Sequence, residues 1–493
     1  MKKHIKIILI PFTFLIFLTG SCEKILDMKP QQSISSDDAL STPDNIQNLL
    51  IGAYEGIKGT NSGTMYGGTF NTFGELLAFN EDASGEGNFI GTFSTLQDLQ
   101  AKSLTASDAD VYSTWIQAYY VINILNQVLD HLDLFTDEGT KAIVQGQALG
   151  LRGMTYFEMA RLWGLQYEPG ANNTQPAVPI VLKATYQASD AVDVARNTVE
   201  EVYAQAEQDL LQAESILKPF GLNNNMFSTY VASAMLSRLY LQKGEFEKAA
   251  QEADSVIEAS VFSLAATPLQ AYNKDNYFSE HIFSIRQTAT SNAGTSNSGI
   301  ATFYASLNGS GRGDIEILQN HLDLYEPGDL RGGVDDVLKP DGSVNDLATI
   351  KDIKQMFYIG IGSNAGKFNT SKWGDPRLYI PVIRLAEMYL TRAEGNFESG
   401  ASQVGPNTWL DDINVIRHRA GLGDLVSVDA ATDRAAIHKE RHLELCWEGF
   451  ALHDLRRWHE DVGGLPYNSP RLVLPIPQQE RDVNHLLSQN PGY

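Results

Sequence analysis

Residues 230–257, YVASAMLSRLYLQKGEFEKAAQEADSVI, carry the plainest architectural signal in the chain. Ala232, Leu236, Leu239 and Tyr240 recur at helical spacing up to Gly244, and Phe246, Ala249, Ala250, Ala253 and Ile257 recur beyond it. A 3.6-residue period on both sides of a glycine predicts two helices joined by a tight turn. The small residues fall where the two helices would cross, so the helices can approach closely.

Looser copies of this pattern flank it. One runs from Val382 through Ala386, Tyr389 and Ala393 to Trp409, Ile413 and Ile416, and another lies between Ile437 and Trp458. Further periodic segments span Val111 to Leu134 and Lys141 to Trp163. A third starts at Thr198, where Thr198-Val199-Glu200-Glu201 forms a capping box, and runs to Pro219, which cannot continue a helix. The helix pair at 230–257 resembles a tetratricopeptide repeat, a unit of about 34 residues that pairs antiparallel helices through small positions. A single such unit cannot bury both faces, so several stacked pairs are expected. The predicted fold is mainly α, a superhelical scaffold over about 111–260 and 377–460.

Residues 52–110 and 262–376 differ in being rich in Gly, Asn, Ser and Thr with interspersed aromatics. They read as loops and short strands, too long for plain connections, and excursions of this kind from a rigid scaffold commonly carry binding sites. Aromatic rings among Asn, Asp and Gly offer a sugar both an apolar face for stacking and partners for its hydroxyls. Phe73, Phe89, Tyr304 and Trp373 are the candidate platforms, with Asn80 and Asp82 as polar contacts. The competing reading for each ring is an ordinary core residue.

At the N-terminus, Lys2, Lys3 and Lys6 precede an apolar run from Ile7 to Leu18, then Thr19-Gly20-Ser21-Cys22. This reads as a lipoprotein signal over 1–21 with lipid on Cys22, since an apolar run of about 12 residues is short of the ~20 that cross a bilayer. Residues 22–40 are polar and predict a tether, and 41–493 a single folded domain. The only other cysteine is Cys446, so no disulfide framework is available. A net charge of -23 argues against nucleic-acid and anionic-lipid partners and fits a solvated exported domain.

Catalytic and metal signatures are weak. His438 and His442 are four apart, but Glu440 is misplaced for a zinc-protease motif, and ion-paired or solvated histidines are the preferred reading. Asn80 to Glu86 is oxygen-rich yet lacks the alternation of an EF-hand loop. Gly360-Ile361-Gly362 with Gly366 fails the spacing of a nucleotide-binding turn, and no nucleophile elbow occurs. Arg312-Gly313-Asp314 matches an adhesion tripeptide by letter alone. No catalytic residue, metal ligand or cofactor is expected, and the chain is read as a non-enzyme.

Longer strings carry a resemblance. Ala148-Leu149-Gly150-Leu151-Arg152, Arg161-Leu162-Trp163-Gly164, and Pro381-Val382-Ile383-Arg384-Leu385-Ala386-Glu387-Met388-Tyr389-Leu390 occur in order. They are followed by Asn414-Val415-Ile416-Arg417, Glu448-Gly449, Asp454-Leu455-Arg456-Arg457-Trp458, Leu474-Pro475-Ile476-Pro477 and the terminal Asn490-Pro491-Gly492-Tyr493. From end to end the chain resembles the SusD/RagB family of outer-membrane lipoproteins of Bacteroidetes. One departure is Ala451, where the family usually has arginine. The motif Arg and Glu residues lie on helices that pack, which reads as paired scaffold charges rather than catalysis. The resemblance implies a lipid-anchored, outward-facing nutrient-binding protein without enzymatic activity. It would capture oligosaccharides and deliver them to a SusC-like TonB-dependent transporter. The alternatives are a peptide-binding RagB-type lipoprotein and, less well supported, a surface hydrolase.

Overall fold

The computed structural model describes residues 40–59, 64–82, 84–222, 226–293, 299–308, 310–400 and 403–493. Cys22, the leader and almost all of the tether lie outside them. Among the described residues no helix is long and apolar enough to cross a membrane.

The chain is mainly helical. It begins with α1 (Pro43–Lys58), α2 (Thr69–Leu76) and strand β1 (Gly87–Phe89), followed by α3 (Ser94–Gln100), α4 (Ala109–Asp130) and α5 (Glu138–Trp163). Next come α6 (Val199–Leu217), α7 (Thr229–Lys243), α8 (Phe246–Glu258), β2 (His281–Ile285), α9 (Ile300–Tyr304), β3 (Ile315–Ile317) and α10 (Gln319–Leu322). Strands β4 (Val334–Asp335), β5 (Phe357–Ile359), β6 (Phe368–Thr370) and β7 (Ile380–Arg384) precede α11 (Leu385–Ser399). The last helices are α12 (Trp409–Arg419), α13 (Ala430–Leu445), α14 (Ala451–Arg457) and α15 (Gln478–Val483).

Helices α4 to α8 stack in sequence order, α11 packs on α8, and α12 and α13 pack on α11. This is the tetratricopeptide-like pairing expected from the sequence. At the start of α6, Glu201 N–H donates to Thr198 Oγ1 (3.2 Å) while Thr198 N–H donates to Glu201 Oε2 (2.8 Å), closing the predicted capping box. Between α7 and α8, Gly244 takes φ 69°, left-handed backbone that a side chain disfavours. Where α8 meets α11, Ala249, Ala250 and Ala253 are wholly buried, and a Cβ on Gly395 would lie 2.6 Å from the Phe246 carbonyl oxygen.

The motif charges are structural. Arg152 grips Asp209 through two bonds of 2.8 Å, Arg238 grips Glu387 in the same way, and Arg392 holds Asp412 at 2.8 and 2.7 Å. Arg384 reaches Glu280 (2.7 Å), Glu444 (3.0 Å) and Glu448 (2.8 Å), tying β7 to the end of α13 and the turn after it. All of these side chains are buried. Bidentate geometry offsets the desolvation that buried charges otherwise suffer.

The 262–376 stretch consists mostly of short strands and turns, with the two short helices α9 and α10 among them. A five-stranded sheet runs β1-β3-β6-β5-β4, antiparallel apart from β4 with β5, and β2 pairs with β7. The 52–110 stretch differs from expectation in holding α2, α3 and the end of α1. Its aromatics are spaced to pack inward from those helices, a tertiary effect that composition does not register.

Candidate functional site

The four predicted ring platforms are core residues. Phe73 and Tyr304 have no exposed surface, and Phe89 and Trp373 are buried. Tyr304 O–H donates to Asn71 Oδ1 (3.1 Å), the Trp373 indole N–H donates to the Trp447 carbonyl (2.8 Å), and Phe89 packs edge-on against Phe303. No face of these rings is free to stack on a ligand in this conformation. The physical reason is tertiary: Trp373 reaches the turn after α13, Tyr304 packs on α2 through Asn71, and Phe89 packs on Phe303 of α9, so apparent loop aromatics become interior. Asn80 and Asp82 are placed differently. Asp82 is exposed and its carboxylate accepts from Ser84 N–H (3.1 Å) and O–H (2.6 Å), while the Asn80 amide donates to Ser84 Oγ (3.0 Å).

This loop roofs a cavity of about 270 Å³. Its wall includes Phe79, Asn80 and Gly85 from the loop side, and Trp447, Ala451 and Asp461 from the C-terminal helices. A second cavity of about 290 Å³, between Ile51, Tyr54, Phe283 and Ile285, is similar in size but gathers fewer ionisable groups. Convergent polar groups in a concave, partly apolar pocket are what distinguish a binding site from a packing defect.

The walls are fixed by backbone contacts. Gly449 N–H (2.6 Å) and Phe450 N–H (3.2 Å) donate to Glu75 Oε1, and the Asn71 amide donates to the Trp447 carbonyl (2.9 Å), so α2 clamps the turn between α13 and α14. A Cβ on Gly449 would sit 2.9 Å from Asn71 Cα, and this close approach needs glycine. Lys372 Nζ donates to the carbonyls of Glu444 (2.9 Å) and Cys446 (2.7 Å) from behind. Trp447 is held at φ 66°, a left-handed conformation costing on the order of 1–2 kcal/mol for a bulky residue, and its buried indole N–H has no hydrogen-bond partner. A strained residue with an unsatisfied donor on a cavity wall makes this segment a candidate functional position.

Ionisable groups converge here. Burial pushes the Glu75 carboxyl up to about 7, against the pull of the Gly449 and Phe450 N–H groups. Among the described residues no side-chain cation forms an ion pair with it. Ala451, standing where the resemblance calls for arginine, lines the same cavity. Beside it, Glu86 Oε2 lies 2.7 Å from His321 Nδ1 and 2.6 Å from His442 Nε2. Burial acts to raise the Glu86 pKa, but the charge of His442 and hydrogen bonds from both imidazoles outweigh it and hold the carboxyl well below its usual range. His442 is shifted up by Glu86 despite its burial, whereas burial drives His321 down. His438, the other histidine of the i,i+4 pair, instead stacks on Trp458 with ring centroids 3.9 Å apart. Helical spacing had set His438 beside His442, but His442's polar partner comes from the opposite end of the chain.

Sequence reasoning singled out Asn80, which borders this cavity, and did not single out Glu75, His321 or Trp447, which meet there. Only the cluster of motif residues around Glu448 and Gly449 hinted that the wall opposite the loop would be special.

The class, on fold alone, is a stacked helical-repeat scaffold with a polar-lined cavity beside the 80–86 loop. Comparison with known proteins narrows it. The model described as "SusD family" matches residues 354–469, and the one described as "Starch-binding associating with outer membrane" matches residues 24–241. A SusD-like protein P2 of Formosa agariphila is 27% identical over 455 residues, covering 82% of this chain and 85% of that protein. The starch-binding protein SusD of Bacteroides thetaiotaomicron is 28% identical over 223 residues, 36% of this chain and 37% of its own length. A SusD superfamily crystal structure from the same species superposes with a TM-score of 0.75 at 23% identity, covering 91% of this chain and all of its own. A SusD-like carbohydrate-binding protein of Bacteroides vulgatus gives 0.72 at 20% identity over 90% of this chain and 97% of its own. The chain belongs to the SusD/RagB family of SusD-type binding proteins.

Proposed function

We propose that this protein is a lipid-anchored receptor of the outer membrane, facing outward, that captures oligosaccharides and hands them to a SusC-like TonB-dependent transporter. The observation that carries this reading is the match of residues 24–241 to a family described as starch-binding and associated with the outer membrane, within the span that holds Glu75, Asn80 and Glu86. The leader ending at Cys22 supports the anchor. The cavity under the 80–86 loop supports the site, with Asn80 on its wall supplying hydrogen bonds and Asp82 exposed on the same loop as a further polar contact. The rings of Phe73, Phe89, Tyr304 and Trp373 support these walls from within and are not assigned a stacking role.

A non-catalytic role fits the chemistry. Glu75 is occupied by two backbone donors, and the Cys446 thiol on the same wall is buried and pushed up to about 11 by burial, which does not suit it to act as a nucleophile. A lipid-anchored binder without a channel concentrates ligand at the surface but cannot translocate it, so a transporter must follow. Mild-detergent purification from native outer membranes tests the partnership. Near-equal recovery of this protein and a TonB-dependent transporter is expected; recovery alone, with normal ligand uptake in a deletion strain, contradicts it.

A further inference from the structure

The Glu86, His321 and His442 triangle is more than an ion pair with an extra histidine. Its three ligand atoms, one carboxylate oxygen and two imidazole nitrogens, all lie within 4.8 Å of one another. They come from three separate segments. Glu86 directly precedes β1, and His321 sits on α10, just beyond β3. The pairing of β1 with β3 brings these two together, because Gly87 faces Ile317 and Leu318 N–H donates to the Glu86 carbonyl (2.8 Å). His442 arrives from the last turn of α13.

We propose that these three side chains form a binding site for a divalent transition cation of the zinc class. Two imidazoles and one carboxylate are the donor set such a borderline cation prefers, whereas calcium and magnesium take oxygen ligands. A tetrahedral zinc with bonds of 2.0–2.1 Å keeps its donors about 3.3 Å apart, so the two contacts to Glu86 would lengthen by roughly 0.6 Å, within side-chain reach. The second shell is in place: the other ring nitrogen of His321, Nε2, lies 2.9 Å from the Tyr325 hydroxyl, and the ring packs edge-on against Trp447 at 4.8 Å and Phe357 at 5.6 Å. Without metal, Nδ1–H donates to Glu86 and Nε2 accepts from the Tyr325 hydroxyl; with the proton moved to Nε2, that nitrogen donates to Tyr325 and Nδ1 is free to act as the ligand. Glu86 and His442 both line the cavity described above, so a fourth coordination position opens into it for water or an oxygen of a bound molecule. The cation would pin the 80–86 loop to the sheet and to α13.

This departs from the expectation, drawn from motifs alone, that the chain has no metal ligand. It does not depend on the glycan reading, because its test uses the metal alone. Purified protein is dialysed against EDTA, returned to chelator-free buffer and titrated calorimetrically with zinc chloride. One saturable equivalent per chain is expected, undisturbed by millimolar calcium, with the unfolding temperature raised by several degrees at saturation. Glu86→Gln and His442→Gln should each weaken binding at least tenfold and abolish the thermal shift, while His438→Gln, four residues away on the same helix, should bind as wild type does. Both ligand variants are only partly buried and are checked for folding by their unfolding temperature without metal. Absence of a saturable equivalent in the wild type, or wild-type affinity in the folded Glu86→Gln and His442→Gln variants, overturns the site.

Discussion

At the level of single residues, the buried charges are the most sensitive points. Arg384 answers three carboxylates, so Arg384→Ala should cost about 3–5 kcal/mol in urea unfolding, because it strands buried charge. A loss under about 1 kcal/mol would mean that water reaches the cluster. His281 offers a test in pH. It is fully buried, its Nε2 lies 2.6 Å from the Ala271 carbonyl, and burial pulls its pKa down from 6.5 to about 4. The unfolded chain therefore binds a proton that the folded chain refuses, and stability falls as pH drops from 6.5 toward 4. Wild type should lose about 2 kcal/mol more than His281→Gln between pH 7 and pH 5; parallel curves would contradict this. In the cavity, Asn80→Ala should weaken ligand binding two- to tenfold by calorimetry, the range of one lost hydrogen bond, without changing the unfolding temperature.

Secondary-structure elements divide into those legible in the sequence and those that are not. The α7–α8 pair and the α6 capping box could be read directly, because periodicity, a turn glycine and a Thr-to-Glu spacing are local signals. Two glycines show how far local reasoning goes. Gly52 in α1 has open space around its Cα, so Gly52→Ala should stabilise by up to about 1 kcal/mol through helix propensity. Gly395 in α11 faces the α8 backbone, and Gly395→Ala should destabilise by about 1–3 kcal/mol despite the same propensity gain. Thermal unfolding of the two variants checks the opposite signs. Around the site the local signals fail. Phe73 and Trp373 could not be told from exposed rings, since burial there is imposed by α2 and the 444–450 turn. The meeting of Glu86 with His321 and His442 spans 235 and 356 residues, beyond any periodic pattern.

For the whole molecule, the stacked helices serve to hold one loop-roofed cavity rigidly. The long-range ion pairs bind the scaffold to the turn that carries Trp447, so the strain at that residue persists. The leader adds a second expectation at this scale: Cys22→Ala should shift the protein from the membrane fraction to the soluble fraction, and continued membrane association in cells lacking the transporter would place the anchor elsewhere. The claim that joins these parts is that the cavity captures a glycan. Affinity electrophoresis of the purified protein through gels containing individual soluble polysaccharides tests it most directly. At least one polysaccharide should retard the wild type, and Asn80→Ala, on the cavity wall, should relieve that retardation. Unchanged mobility in every polysaccharide, with binding to a peptide mixture instead, would contradict it.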